Sequence, residues 1–406
     1  MDEEKPALKR VITMPLLVLY GLGVSIGAGI YVLIGEAAAQ AGFYTPLSFL
    51  LAAVVMAFIA SSFAELSGRL PKSAGEAVYV KVGLRSETLA LLTGAIVLIS
   101  ATVSAAAITV GGVGYLLELI AAPRLAMIIG VVLVMGGIAA WGVKQSVLFA
   151  AIFTVLEVLG LLVIIGAGFW NQPDILTRLP EIVPAWGDTV AYTAIFTTSL
   201  IAFFAFIGFD DIVNLVEETK SPAQTLPRAI YLTLAITTIL YFLVSTVAVL
   251  SVPLEDLGAS SAPVRLLYER LTNSSPLSIT LIAVIATLNG IVLQIIMAAR
   301  VLYGMANAGS IPAVFGRVHP KTGTPLLSTA LVTLTIIALA ALFPIGELAA
   351  FTSQMILIVF TLTNLALISL KIRRVPAPEG IYTVGIWQPI LGTIGCLALL
   401  IGPFLP

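Results

Sequence analysis

Long apolar stretches separated by short polar ones set the pattern of this chain. They fall near residues 14–38, 46–67, 88–117, 124–141, 147–170, 193–216, 227–251, 277–305, 326–343, 348–370 and 387–404. Crossing a bilayer takes about 20 mainly apolar residues in a helix, and each stretch is close to or above that length. A membrane β-barrel strand would alternate apolar and polar positions, whereas LFAAIFTVLEVLGLLVIIGAG (148–168) is apolar on every face. The pattern predicts an all-α, polytopic membrane protein with about 11 transmembrane helices. The longest polar stretches, near 171–192 and 252–276, leave no room for a separate soluble domain, so residues 1–406 are expected to form one transmembrane domain. The first apolar run is too long and too interrupted for a signal-peptide core, and no small-residue cleavage site follows it; a cleavable leader is not expected.

Composition agrees with this pattern and removes several functions. Of 406 residues, 59% are hydrophobic and 10% charged, and the mean hydropathy is +1.10. Soluble domains carry about 25% charged residues. A net charge of −1 offers no cationic face to nucleic acid. One cysteine, Cys396, and one histidine, His319, supply neither a disulfide nor a Cys/His metal cluster, so no metal or other cofactor is expected. No G-x-S-x-G or H-E-x-x-H motif points to an enzyme, and no G-x-x-x-x-G-K-[ST] loop points to ATP-driven transport. A channel would want charge rings or filter loops, and none is evident. Positive residues sort by side. Lys5, Lys9, Arg10, Arg69, Lys72, Lys81, Arg85, Lys144, Lys220, Arg228, Arg300, Arg317, Lys321, Lys371, Arg373 and Arg374 fall on one side, 16 of the 20 Lys and Arg, against Arg124, Arg178, Arg265 and Arg270. The rule makes the first side, and the N-terminus, cytoplasmic.

Two spans carry segments poorly suited to continuous helix. The first contains YGLGVSIGAGI (20–30), with Gly21, Gly23, Gly27 and Gly29; each Gly costs a helix about 1 kcal/mol relative to Ala. The sixth contains FFAFIGFDD (203–211), where Asp210 and Asp211 could cap a helix that restarts after a break. Glycines also serve close helix packing, and Gly23-x-x-x-Gly27 fits that use. The two segments are five spans apart, however, and paired interruptions in two halves of a chain point to a transporter binding site. Half-helix N-termini can hold a carboxylate and half-helix C-termini an ammonium, which together suit a zwitterion such as an amino acid.

Four ordered stretches, SIGAGIYVLIG (25–35), FAELSGRLPKSAGEAVYV (63–80), FFAFIGFDDIVNLVEETKSPAQTLPRAI (203–230) and TLNGIVLQIIMAARVLYGMANAGSIPAVFGRVHPKTGTP (287–325), give the chain its resemblance. It resembles the amino acid–polyamine–organocation superfamily, in its bacterial amino acid permease and cationic amino acid transporter branch. The resemblance implies a LeuT-type 5+5 inverted repeat, residues about 11–170 and 193–370, with helices 1 and 6 broken and an extra helix at 387–404. It implies import of a small amino acid across the cell membrane by alternating access; an amino acid or polyamine exchanger and a Na+-coupled symporter are the alternatives. Carried over by position, the amides of Gly27, Ala28 and Gly29 would receive the substrate carboxylate. Carbonyls near Ser25 and Ile26, and near Phe204, Ala205 and Ile207, would receive its amine, with Phe204 as an aromatic gate. Ala28 stands where many relatives have Ser, leaving only backbone donors there. Ser100, Ser104, Asn289, Thr352 and Ser353 would line the side-chain pocket, although small polar residues also serve as ordinary helix contacts.

Glu157 lies mid-span in LFAAIFTVLEVLGLLVII (148–165) with no other charge nearby in sequence. A charge at that depth costs at least about 2.5–3.5 kcal/mol, so such residues face an interior or a cavity. In proton-coupled relatives the resemblance places a Lys here, in the position of a coupling sodium ion; Glu inverts the charge. Proton coupling, cation binding, a structural hydrogen bond and recognition of a cationic substrate side chain are the open roles. Glu65 with Arg69, Glu217 with Glu218 and Lys220 with Arg228 are expected as face ion pairs, gate contacts or solvated loop charges. His319 is expected to shape its loop and Cys396 to pack or face lipid.

Overall fold

A computed structural model describes residues 10, 12–71, 75–141, 147–216, 218–307, 311–319, 322 and 324–402. Lys5, Lys9, Lys72, Lys144, Glu217 and Lys321 lie outside them. Inside a bilayer every backbone polar group must find its partner within the protein, and the described chain meets this with helices. They are α1 (Met14–Ala28), α2 (Ile30–Ala41), α3 (Thr45–Arg69), α4 (Gly75–Leu84), α5 (Glu87–Leu117), α6 (Arg124–Trp141), α7 (Val147–Asn171) and α8 (Ile175–Arg178). The second part holds α9 (Thr189–Phe204), α10 (Pro222–Ser251), α11 (Leu254–Ala259), α12 (Pro263–Thr272), α13 (Leu277–Asn307), α14 (Leu326–Leu342), α15 (Ile345–Ile372) and α16 (Trp387–Ile401). Among the described residues the one extended pairing is a bridge between Ile12 and Thr219. Each apolar stretch read from the sequence is helical over most of its length among the described residues, and the first and sixth are interrupted. The polar stretches at 171–192 and 252–276 are not plain loops: they fold into α8 and into α11 and α12, and α12 buries Val264, Leu267 and Leu271.

Local chemistry fixes the helix starts. Ser86 accepts from the Leu89 amide at 3.2 Å and Asp188 from the Ala191 amide at 3.0 Å, each satisfying a free N–H at the first turn. Within the helices, buried hydroxyls turn back on their own backbone. Thr109 donates to Ala105 O at 2.7 Å, Thr287 to Ala283 O at 2.9 Å and Thr352 to Leu348 O at 2.8 Å.

The packing has a regular form. α5 lies against α13 and α15, and α3 against α10. α1 packs on α7 and α10, α9 on α15 and α3, and α6 on α14. Basic residues assigned to one side gather in space. The buried Glu65 accepts from Arg69 Nε at 2.8 Å, from Lys371 Nζ at 2.7 Å and from the Val384 amide at 2.7 Å. Arg373 reaches Gly83 O at 2.6 Å and Arg69 reaches Val375 O at 3.0 Å. At the other end Arg178 bonds Leu250 O at 2.5 Å, and Arg265 pairs with Glu118 at 3.2 Å. Among the described contacts Lys220 does not pair with Arg228; its amide donates to Ile12 O at 2.9 Å. His319 donates its amide to Thr324 O at 2.9 Å, shaping its loop, and Cys396 is packed in the interior.

Candidate functional site

The two interruptions meet. Helical winding continues through Gly21, Gly23 and Gly27 and gives way at Gly29 alone, where φ is −95° and ψ −84°. The first three glycines are packing positions: Gly21 lies against Ile212 and Thr233, Gly23 against Thr154, and Gly27 against Ala286 O and Glu157. The unwound stretch is therefore shorter than the glycine cluster suggests. The Gly29 amide turns to Ile26 O at 3.3 Å, and Gly27 and Ala28 fall inside α1. Three open amides for a carboxylate are thus not displayed in this conformation. A Cβ on Gly29 would come 2.6 Å from Ala205 Cα, so the first break rests directly on the second.

Helix 6 breaks more fully. After α9 ends at Phe204, residues 205–209 form turns, with Gly208 at φ +126°, a conformation that favours glycine. Asp210 does not cap forward as expected: its carboxylate accepts from the Gly208 amide at 2.8 Å, two residues back, and holds the turn. The chain resumes as a 3-10 segment, Asp210–Leu215. Rings close one side of the turn, with Phe63 5.5 Å from Phe209 and 5.2 Å from Phe360, centre to centre.

The remaining residues divide. Ser25, Ile26, Gly27 and Gly29 are buried at one break, and Phe204 and Ala205 at the other with half-buried Ile207. Glu157 on α7 is 1% exposed, and neither of its carboxylate oxygens has a hydrogen-bond partner among the described residues. A methyl on Gly27 would sit 3.4 Å from both of those oxygens and 3.2 Å from Ala286 O, so α1, α7 and α13 converge there. Ser100 and Ser104 are buried on α5, whose main neighbours are α13 and α15 rather than α1 or α9. Asn289 on α13 is half-buried. Thr352 spends its hydroxyl on its own helix, while the Ser353 hydroxyl is buried without a partner among the described residues. A pocket of ≈ 460 Å³ lies between the far end of α2, α9 and α15, lined by Glu36, Gln40, Thr197, Glu347 and Gln354, away from the point where the breaks touch.

Three tyrosines were missed by sequence reasoning. Tyr241 on α10 donates to Ser25 O at 2.8 Å and lies 2.9 Å from Ala205 O, one carbonyl from each broken helix. Tyr31 donates to the Glu157 backbone carbonyl at 2.7 Å, and Tyr115 donates to Tyr31 O. A tyrosine in an otherwise apolar helix must find a polar partner for its hydroxyl, and that was the available signal. Outside the spans, Glu76 on α4 is buried, and its carboxyl is pushed up to about 8, by burial first and then by the charge of Asp210.

Broken helices pressed together around buried carbonyls and a buried carboxylate with no partner among the described residues define a membrane carrier. A family model described as amino acid permease matches residues 14–406, and the chain belongs to that family, within the amino acid–polyamine–organocation superfamily of transporters. It is 27% identical to the branched-chain amino acid permease BcaP of Bacillus subtilis, over 97% of this chain and 88% of that protein. It is 29% identical to the vacuolar cationic amino acid transporter 2 of Arabidopsis thaliana, over 92% of this chain and 61% of that one, so it spans about three-fifths of that relative's length. Similarity to the methylthioribose transporter of Bacillus subtilis is 28% identity over 91% of this chain and 83% of the relative.

Proposed function

We propose that this protein is a secondary transporter importing a small amino acid across the cell membrane by alternating access, with Glu157 as the proton carrier. The observation that carries the proposal is the contact of the two helix breaks beside a buried carboxylate with no partner for either oxygen among the described residues. An isolated ionised carboxylate is expensive at that depth, so a proton on Glu157 or a cation beside it completes the site. The Ser25 and Ala205 carbonyls suit an ammonium group, and the permeases among its relatives favour an amino acid over other solutes. The carboxylate end would be received by the amides of Gly27 to Gly29 once the breaks part. Ser100, Ser104, Asn289 and Ser353 remain the candidates for the side-chain pocket.

The 5+5 repeat draws support from the packing, several of whose helix pairs recur when each helix of one half is exchanged for its counterpart. α1 on α7 matches α9 on α15, α1 on α10 matches α9 on α3, and α5 on α15 matches α13 on α7. The paired third spans, α5 and α13, lie together, as do the paired second spans, α3 and α10. The gathering of basic residues at one end supports a cytoplasmic N-terminus.

A second coupling ion has one observation in its favour: Ala286 O and the Glu157 carboxylate both face Gly27, a combination of oxygens that suits Na+. Uptake into proteoliposomes under an imposed proton gradient, a Na+ gradient, or preloaded amino acid separates the readings. Proton-driven uptake is expected, and Glu157→Gln should still bind amino acid but lose the pH response of transport. Na+-driven uptake insensitive to pH assigns the site to sodium; an unchanged pH response in Glu157→Gln removes Glu157 from the mechanism.

A further inference from the structure

We infer that Tyr241 is the positioning residue of the amine subsite, its hydroxyl holding the Ser25 and Ala205 carbonyls together so that both face one ammonium group. This rests on the amino acid reading above. In an unbroken helix Ser25 O would receive the Gly29 amide, but that amide goes to Ile26 O at 3.3 Å. An unbroken helix would bring the Phe209 amide to Ala205 O, and a tighter turn the Gly208 amide; the Gly208 amide goes instead to the Asp210 carboxylate at 2.8 Å, and no bond from the Phe209 amide to Ala205 O is formed among the described residues. Each break thus frees a carbonyl that the same hydroxyl meets, at 2.8 and 2.9 Å.

A phenol has one proton to donate, so two buried carbonyls share a single donor and retain unused lone pairs. An ammonium group brings three donors and can serve both. The hydroxyl oxygen is fixed by the ring rather than by a flexible stem. Tyr241 is fully buried, edge-on to Phe49 at 5.6 Å and to Phe206 at 5.1 Å, so α3 and the helix 6 break hold the ring from two sides. Without the hydroxyl, two carbonyl dipoles from different helices face each other with nothing to keep them at a common distance.

The test compares an amino acid with its desamino analogue, which has the same carboxylate and side chain but no ammonium, as competing inhibitors of uptake. The wild type should favour the amino acid strongly. Tyr241→Phe keeps the ring and should raise KM for the amino acid about tenfold while kcat stays within about threefold, the mark of lost uniform binding. Its preference over the desamino analogue should shrink by about the same factor. Phe49→Leu, which loosens the ring packing, should lower the melting temperature and leave that preference intact. Should Tyr241→Phe fail to fold, 3,5-difluorotyrosine introduced at position 241 preserves the shape and strengthens the donor, so the preference must change; an unchanged preference overturns the assignment. Equal loss for both ligands in Tyr241→Phe, or an unaltered ratio, also overturns it. A wild type that does not discriminate between the two ligands overturns the amino acid reading instead.

Discussion

Replacing Gly29 by Ala tests whether contact between the two breaks is structural. The added Cβ would lie 2.6 Å from Ala205 Cα, 2.7 Å from Ala205 Cβ and 2.9 Å from Ala205 O. None of these is the end of a flexible side chain. Ordinary carbon contacts begin at about 3.5 Å, so the two breaks must part by nearly an ångström along that line. Overpacking of this kind costs about 1–3 kcal/mol, which corresponds to roughly five- to 150-fold in an equilibrium. The φ of −95° at Gly29 is open to alanine, so the loss measures crowding and not backbone strain at positive φ. Gly130 on α6 and Gly166 on α7 have nothing within 4 Å of a built Cβ. Alanine there should be neutral or should stabilise by up to about 1 kcal/mol through helix propensity. Thermal unfolding in detergent and uptake into liposomes read the two effects together. Gly29→Ala should unfold several degrees lower and lose at least about tenfold in transport, with Gly130→Ala and Gly166→Ala at or above the wild type. Equal behaviour of all three variants would refute the claim that the breaks bear on each other.

The buried ion group around Glu65 gives a second expectation. Lys371→Met removes one of the two cations on the buried Glu65 and leaves Arg69 with the Val384 amide. It should therefore unfold at a lower temperature than the wild type, with a loss smaller than that of a fully unpaired buried charge, about 3–5 kcal/mol, while Lys371→Met with Glu65→Gln recovers part of the loss; no recovery in the double variant means the charges do not act on each other. Glu76 gives a pH signature: its carboxyl titrates at about 8 when folded against an ordinary value of 4.5. The folded state therefore holds a proton that the unfolded chain releases, and stability falls as pH rises from 4.5 to 8, at up to about 1.4 kcal/mol per unit, and levels off above. Melting temperatures across that range should slope downward in the wild type and less so in Glu76→Gln; parallel slopes dismiss the buried proton.

Elements that depend on composition alone were legible along the chain, because lipid permits only self-satisfied helices and those helices are written as long apolar runs. The break in helix 6 was legible for a local reason as well: IGFDD pairs a glycine, which adopts φ +126° at Gly208, with an acid whose carboxylate ties the turn. Helix 1 was legible only in part. Four glycines look alike in sequence, and nothing local says that Gly21, Gly23 and Gly27 keep their winding while Gly29 gives it up; that is decided by Thr154, Ile212, Glu157 and Ala205, all more than 120 residues away. Glu157 stood out as a lone charge in an apolar run. Tyr241 did not, because ITTILYFLVST reads as ordinary apolar helix and its carbonyl partners lie 216 and 36 residues away in the chain. The short helices α11 and α12 were hidden by their polar composition, being stabilised by a few buried side chains and not by lipid.

The polar ties of helix 1 change partners at Gly29. Before it, Ser25 O is bonded through Tyr241 to α10 and to the helix 6 break at Ala205. After it, Tyr31 on α2 donates to the Glu157 carbonyl of α7, and its own carbonyl accepts from Tyr115 of α5. Tyr115 in turn accepts from the Val264 amide of α12 at 3.3 Å. The polar ties of the two halves of one span thus run to different helices, with a single glycine between them, although α1 also packs on α7. A continuous helix would have to carry both sets together or tear one set of bonds. Were α1, α10 and the helix 6 break to shift as a group, α1 would slide on α7, against which it packs, while α2 kept its bonds to α5 and α7. The φ and ψ of Gly29 would then absorb the difference, as hinge residues do. For the alternating access proposed above, a break this short would serve as the joint between two bodies, and the open dipoles for the substrate would appear when the joint bends.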